Sequence, residues 1–210
     1  YSSRSSRMVM YSGPVHSLEH LRHLPRVTPQ EIATYIFQQE IVAVYQGRSE
    51  AGPRALGNRS ILYDPRDGLG PDRVNTVKNR EKFRPFAASV LEEHASDWFD
   101  MSTLEHSREM MYAVEAKEEV RDKIPAVLHV DYTCRIQTVT KEINPHYYEL
   151  ISEFYKYSKV PMVLNTSFNL AGEPLVETPQ DAIDTFDRSD IKVLWFPEIN
   201  RMIKKCESLE

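Results

Sequence analysis

Cysteine is nearly absent. The 210 residues contain two, Cys134 and Cys206, 72 positions apart. A disulfide framework and a cysteine-based metal centre are therefore excluded, and a reducing, cytoplasmic setting is the expectation. Glycine is scarce as well, with seven in the chain, so a local cluster of glycines carries information. No apolar run approaches the roughly 18–20 residues that a membrane span needs, and no secretory-leader pattern opens the chain. The first residue is Tyr1 rather than Met, so the chain reads as a piece of a longer protein. Its terminal Leu209-Glu210 reads as a cloning scar.

What is present suits a folded domain. Hydrophobic residues make up 41%, aromatics 10% and charged residues 27%, which excludes disorder, collagen and coiled coil. The formal net charge is −5, against a general polyanion-binding surface. The charge is uneven: residues 46–84 hold nine Lys/Arg and five Asp/Glu, net +4, and the rest is net −9. One basic stretch in an acidic protein points to a local anionic ligand.

Residues 1–27 are rich in Ser, Arg and His, show little periodicity, and read as a linker or extension. Thr28-Pro29-Gln30-Glu31 predicts a capping box opening a helix to about Gln39, followed by a strand over Ile41–Tyr45. The same grammar returns at Thr178-Pro179-Gln180-Asp181 and Ile191–Phe196. Further strands are expected over Asn58–Tyr63, Phe86–Leu91, Met111–Glu115, Val127–Val130, Cys134–Val139 and Pro161–Leu164. Helices are expected over Pro71–Asn79 and Asn144–Tyr157. Residues 94–110 have no clear period and read as a mobile loop. Interspersed strands and helices give an α/β class with a mixed sheet. The domain is expected to run over residues 28–200, with 201–210 as a tail.

Four polar constellations interrupt this pattern. The run Gln46 to Ser60 follows a strand and holds three glycines and three arginines. It is neither a P-loop nor a dinucleotide fingerprint. Lys78-Asn79-Arg80 places two cations on one face if the chain is extended, and Arg84 adds a third. Asn165-Thr166-Ser167-Phe168-Asn169 follows the strand ending at Leu164, where open α/β sheets bind ligands. In His129 to Thr138, Arg135 and Gln137 share a strand face, and a buried Arg135 would call for an anionic partner. His16 and His20 are four apart, but no metalloprotease arrangement surrounds them, and no metal ligand is assigned. Cys134 reads as a small core residue.

Taken together, the run Gln46–Ser60, Phe83-Arg84-Pro85-Phe86-Ala87, His129-Val130-Asp131 and Asn165-Thr166-Ser167-Phe168-Asn169 resemble the C-terminal signatures of the O-carbamoyltransferase family, which includes nodulation-factor, cephamycin and tobramycin enzymes. The resemblance covers residues 28–200. That C-terminal domain is in turn similar to YrdC-like domains of threonylcarbamoyl-adenylate synthases and hydrogenase-maturation carbamoyltransferases. These carry a K-x-R pair, matched by Lys78 and Arg80, and an S-x-N pair, matched by Ser167 and Asn169.

The resemblance implies an α/β, YrdC-like open twisted mixed sheet with flanking helices. It implies binding of ATP, with Mg²⁺, and of carbamoyl phosphate, and formation of carbamoyl-adenylate. Lys78, Arg80, Arg135 and Asn165 are then the expected catalytic set. Arg54, Arg59, Arg84, Ser167 and Asn169 are the expected ligand-binding set, with Arg54 on the carbamoyl phosphate side and Glu50 a speculative Mg²⁺ ligand. Complete family members add an N-terminal actin-like domain that transfers carbamoyl to a hydroxyl acceptor, and that domain is the expected partner. No membrane or nucleic-acid partner is expected. Two alternatives are a threonylcarbamoyl-adenylate synthase-like enzyme and a non-catalytic nucleotide- or RNA-binding module.

Overall fold

A computed structural model describes residues 14–49, 56–81, 86–102 and 112–206. Eight strands form one open sheet: β1 (Val42–Tyr45), β2 (Arg59–Tyr63), β3 (Ala87–Leu91), β4 (Tyr112–Glu115), β5 (Thr133–Val139), β6 (Met162–Ser167), β7 (Val193–Phe196) and β8 (Arg201–Lys204). Their spatial order is β4-β5-β3-β6-β2-β1-β7-β8. The pairs β1/β7 and β3/β5 are parallel and the others antiparallel. Among the described residues there are five α-helices: α1 (Pro29–Phe37), α2 (Gly70–Lys78), α3 (Ala95–Trp98), α4 (Pro145–Ser158) and α5 (Pro179–Arg188). Among the described residues no helix is long and apolar enough to cross a membrane.

The two Thr-Pro-Gln starts work as local chemistry requires. Thr28 caps α1 by accepting from the Glu31 amide, and Thr178 caps α5 by accepting from Asp181. Only the second is a complete capping box, because the shorter Asp181 side chain reaches back to the Thr178 amide. The strands that follow, β1 and β7, pair in parallel between β2 and the edge strand β8. Both are buried along their whole length, which explains their unbroken apolar sequence. The packed pair α1 and α4 covers part of the sheet, with α4 against β3 and β6.

Several segments differ from the sequence expectation. Val127–Val130 is not a strand: Pro125–Val127 is a 3-10 turn, Tyr132 takes a left-handed φ of 63°, and Val130 projects fully into solvent. Within 94–110, residues 95–98 form α3, with Trp98 and Phe99 buried; residues 103–110 lie outside the described part. The segment read as linker packs on the core through Leu18, Leu21 and Val27. The segment read as a tail supplies β8, which pairs with β7 and bridges Arg26. Both ends hide apolar side chains too sparse to show a period.

Candidate functional site

The site is organised by β6. Sequence reasoning ended this strand at Leu164, but it runs to Ser167 and pairs with both β2 and β3. Asn165 and Ser167 are therefore in-strand neighbours on one face, about 7 Å apart, rather than members of a turn.

Lys78 meets the end of this strand. It is the last residue of α2, and Asn79 terminates the helix in the left-handed conformation, with φ 56°. The extended arrangement expected for Lys78-Asn79-Arg80 is thus replaced by a helix C-cap. Lys78 is only 2% exposed. Its Nζ donates toward Ser167 O, Ser167 Oγ at 3.1 Å, Thr166 Oγ1 at 3.3 Å and Asn169 Oδ1 at 3.3 Å. Every acceptor is neutral, and no carboxylate of the described residues pairs with it. Burial, reinforced by the nearby Arg80 guanidinium, lowers the Lys78 pKa to about 7. The loop beyond is fastened in place. Ser167 Oγ donates to Asn169 Oδ1 at 2.7 Å, Asn169 Nδ2 donates to Glu173 O at 2.8 Å, and the Ala171 amide donates to Lys78 O at 2.7 Å.

Arg80 leaves the helix end, donates to Asn75 Oδ1, and lies 4.4 Å over the Phe86 ring. Phe86 leads into β3, whose register creates a second cluster. Ala87 pairs with Arg135 of β5 on one side and with Asn165 of β6 on the other. Paired strand residues point to the same face, so Arg135, Ala87 and Asn165 stand in one row. Arg135 and Asn165 are two strand spacings apart, about 10 Å at the backbone. The structure exposes Arg135 rather than burying it. Its guanidinium makes no hydrogen bond or ion pair with the described residues.

One row further along the same face, Ser89 and Gln137 are buried. Asn165 Nδ2 donates to Ser89 Oγ at 2.8 Å, and Ser89 Oγ donates to Gln137 Oε1 at 3.0 Å. Gln137 Nε2 reaches Leu56 O at 3.4 Å, where the described chain resumes after residue 55. Gln137 was expected to share a face with Arg135 and does. Ser89 escaped notice; its signal was one hydroxyl in an otherwise apolar five-residue strand.

Arg59 occupies a different setting. It is fully buried on β2, stacked 3.8 Å over the Tyr45 ring. Its guanidinium donates to the backbone carbonyls of Gln46, Gly47, Asn58 and Glu177. Nearby, Gln46 Nε2 donates to Gly57 O and to Asn144 Oδ1, and Asn144 also caps α4. Gly57 is required there: its φ is 97°, and a Cβ would lie 2.3 Å from the Tyr147 ring. These contacts hold both ends of the glycine- and arginine-rich run. Arg54, Arg84 and Glu50 lie outside the described residues.

His16 meets Glu177 at 3.3 Å, whereas His20 is exposed. Among the described residues no group of three or more His, Cys, Asp or Glu is placed to hold a metal ion. Cys134 is fully buried, and burial pushes its thiol up to about 12, as fits a core residue.

Comparison with known proteins gives this geometry its setting. The chain is 47% identical over 161 residues to nodulation protein NolNO of Sinorhizobium fredii, covering 76% of this chain and 24% of that protein. It is 45% identical over 161 residues to nodulation protein NolO of Bradyrhizobium diazoefficiens, covering 76% and 29%. The chain therefore spans about a quarter of the length of these curated relatives. Among solved structures, full-length HypF in its phosphate- and nucleotide-bound form is similar in fold. The TM-score is 0.55 at 17% identity, covering 78% of this chain and 20% of HypF. The expected YrdC-like sheet is the fold observed. The model of the carbamoyltransferase C-terminus matches residues 33–204, and the chain belongs to that family.

Proposed function

We propose that this domain binds ATP and carbamoyl phosphate and makes carbamoyl-adenylate, which an N-terminal actin-like domain then transfers to a hydroxyl acceptor. The observation that carries this reading is Lys78: a buried ammonium surrounded by neutral oxygens, with a second cation, Arg80, beside it and no carboxylate of the described residues to neutralise it. Burying such a charge costs several kcal/mol unless an anion arrives. A nucleotide phosphate supplies that anion.

In this reading Lys78, Arg80, Ser167 and Asn169 hold the triphosphate, while Arg135 and Asn165 hold carbamoyl phosphate. Arg54 and Arg84 belong to the same ligand set by sequence. Water displaces phosphate from carbamoyl phosphate to give carbamate. A carbamate oxygen then attacks the α-phosphorus of ATP, pyrophosphate leaves, and carbamoyl-adenylate remains. Carbamate decomposes in water, so the site gains from excluding solvent. No covalent nucleophile is needed; positioning and charge stabilisation suffice. Mg²⁺ enters this scheme on the nucleotide's own phosphates. A fold shared with HypF, which was solved with phosphate and nucleotide bound, and membership of a carbamoyltransferase family support the reading. A cytoplasmic location goes with it.

The test is incubation with ATP, Mg²⁺ and carbamoyl phosphate, followed by mass analysis of the nucleotides and assay of pyrophosphate. Carbamoyl-adenylate is the expected product. Its formation should fall about 10²–10³-fold in Arg80→Ala, the scale of one lost preorganised donor. Pyrophosphate release that needs threonine and bicarbonate in place of carbamoyl phosphate would favour a threonylcarbamoyl-adenylate activity. Nucleotide binding with no pyrophosphate release would leave only a binding module.

A further inference from the structure

The motif His129-Val130-Asp131 takes no part in the scheme above, yet the structure fixes it as a tight turn at the start of β5. The His129 amide donates to Thr133 O, the Tyr132 amide to His129 O and the Ala116 amide to Tyr132 O, each at 2.9 Å. Tyr132 keeps its left-handed φ of 63° beneath the Arg121 guanidinium, which lies 4.3 Å over its ring. Within this turn the exposed Asp131 side chain is held through one oxygen. Its Oδ1 accepts from the Thr133 amide at 3.1 Å and from Thr133 Oγ1 at 2.7 Å. The carboxylate forms no ion pair with the described residues, His129 of the same turn included. Two residues beyond Thr133, on the same strand face and about 7 Å along it, stands Arg135, exposed and likewise unpaired. A carboxylate and a guanidinium thus flank Thr133 without meeting.

This arrangement sets a charge problem for a phosphate bound at Arg135. A carboxylate is ionised at neutral pH, and beside a phosphate it repels it. A divalent cation between the two turns the repulsion into a bridge. Mg²⁺ suits that place, because it keeps several of its waters and is commonly held by one or two carboxylates together with substrate phosphates. The described residues offer no group of three His, Cys, Asp or Glu, and none is needed where a phosphate completes the ligand set. We propose that Asp131 is a Mg²⁺ ligand, holding an ion that bridges its carboxylate to the phosphate bound at Arg135. The inference rests on the proposed function, which puts the phosphate of carbamoyl phosphate there, and gives Mg²⁺ a second place besides the nucleotide. Thr133 sets the direction of the carboxylate, and the Tyr132–Arg121 stack keeps the turn from relaxing, so the ligand is preorganised. Arg135 and the ion then share the charge of one phosphate.

The experiment compares wild type with Asp131→Asn. Asparagine keeps an Oδ1 acceptor for both Thr133 bonds, so the turn survives while the charge is lost. Calorimetry reads carbamoyl phosphate affinity and, separately, ATP affinity, each with and without Mg²⁺. In wild type Mg²⁺ should raise carbamoyl phosphate affinity by about tenfold or more, the scale of one charged contact. In Asp131→Asn that response should shrink below about twofold, and affinity without Mg²⁺ should exceed wild type by roughly two- to fivefold, because the repulsion is gone. The Mg²⁺ response of ATP binding should be the same in both proteins. With Mn²⁺ as the probe, the free-ion electron paramagnetic resonance signal should fall when wild type and carbamoyl phosphate are both present, and stay unchanged with Asp131→Asn. A full Mg²⁺ response in Asp131→Asn, or carbamoyl phosphate binding by wild type that ignores Mg²⁺, would overturn the proposal. A response lost for ATP instead of carbamoyl phosphate would put the ion on the nucleotide and overturn the bridge at Arg135. Wild-type protein that binds ATP but not carbamoyl phosphate, with or without Mg²⁺, would remove the proposed function, and this ion site with it.

Discussion

Arg59 and Lys78 are both buried cations, and both come from basic motifs that looked alike as sequence. Their surroundings differ. Arg59 lies on a central strand, stacked on Tyr45, with four backbone carbonyls receiving its guanidinium. Lys78 sits at a helix end with one backbone carbonyl, Ser167 O, and three side-chain hydroxyl and amide oxygens that also serve one another. A backbone carbonyl at the end of a strand cannot turn away to another partner, so these four contacts suit Arg59 to holding the chain. Hydroxyl and amide groups can rotate to share a phosphate, so three of the four Lys78 acceptors can exchange while Ser167 O stays fixed. Under the proposed function the acceptors separate the two roles: fixed carbonyls suit a structural bolt, and a majority of adjustable side chains suits a ligand seat.

The sharpest way to break this contrast is to remove Arg59. Arg59→Met should keep the bulk and lose the donors, leaving several buried carbonyls unpaired. The expected cost is several kcal/mol, since each buried carbonyl left unpaired costs about 1–3 kcal/mol. Denaturant unfolding measures it. ATP affinity, read below the unfolding temperature, should change only a few-fold. A normally stable Arg59→Met protein that no longer binds ATP would make Arg59 a ligand contact, as its motif suggested.

Lys78→Met should behave in the opposite sense. It removes a charge buried without a counter-ion, so the ligand-free protein should gain roughly 2–4 kcal/mol near neutral pH, while adenylate formation drops about 10²–10³-fold. The pH dependence carries a sign. Lys78 has a lowered pKa of about 7 when folded, and the ordinary lysine value when unfolded. Between these two values the unfolded chain binds more protons, so stability should rise with pH across that window. Below about 7 both states are protonated and this contribution is flat. Denaturation midpoints measured at pH 7, 8 and 9 should climb in wild type and climb less in Lys78→Met. Identical pH profiles would mean that Lys78 is not held as an uncompensated amine.

The sequence showed some of this and hid the rest, for reasons that can be named. The α/β class, the capped helices and most strands were legible because β1, β7 and the first half of β6 are continuous apolar runs and Thr178-Pro179 is a strong local start. Val127–Val130 misled because an apolar triplet says nothing about Pro125 before it or the tight turn after it. Asn165, Thr166 and Ser167 looked like a turn by composition, yet tertiary pairing with β2 and β3 overrides that preference. The K-x-R and S-x-N pairs were legible as motifs, and the structure does bring Lys78 to Ser167 and Asn169. Their geometry was not legible, because it depends on a left-handed residue at position 79. Arg135 was correctly set on a strand, whereas Asn165 was set beside its strand rather than in it, and their common row with Ala87 emerges only from register.

The smallest effect tests how the ligand seat is presented. Asn79 adopts φ 56° and ψ 40° between Lys78 and Arg80, and its amide donates back to Thr76 O at 3.1 Å. This left-handed step turns the chain out of α2, so that Lys78 points to the end of β6 while Arg80 reaches the Phe86 ring. Asparagine tolerates that conformation, glycine adopts it freely, and alanine carries a penalty on the order of 1 kcal/mol. Asn79→Gly should therefore be nearly neutral in stability, and Asn79→Ala should lose about 1 kcal/mol. Arg59 depends on no such step, since it stands in regular β-structure. If the contrast holds, Asn79→Ala should also weaken ATP binding by several-fold, because any relaxation of the backbone at 79 moves Lys78 relative to Ser167. Thermal melts and calorimetry on the two variants measure both effects. Equal ATP affinities in Asn79→Gly and Asn79→Ala, with the stability difference present, would mean that the grip of Ser167, Thr166 and Asn169 holds Lys78 in place whatever the backbone after it does.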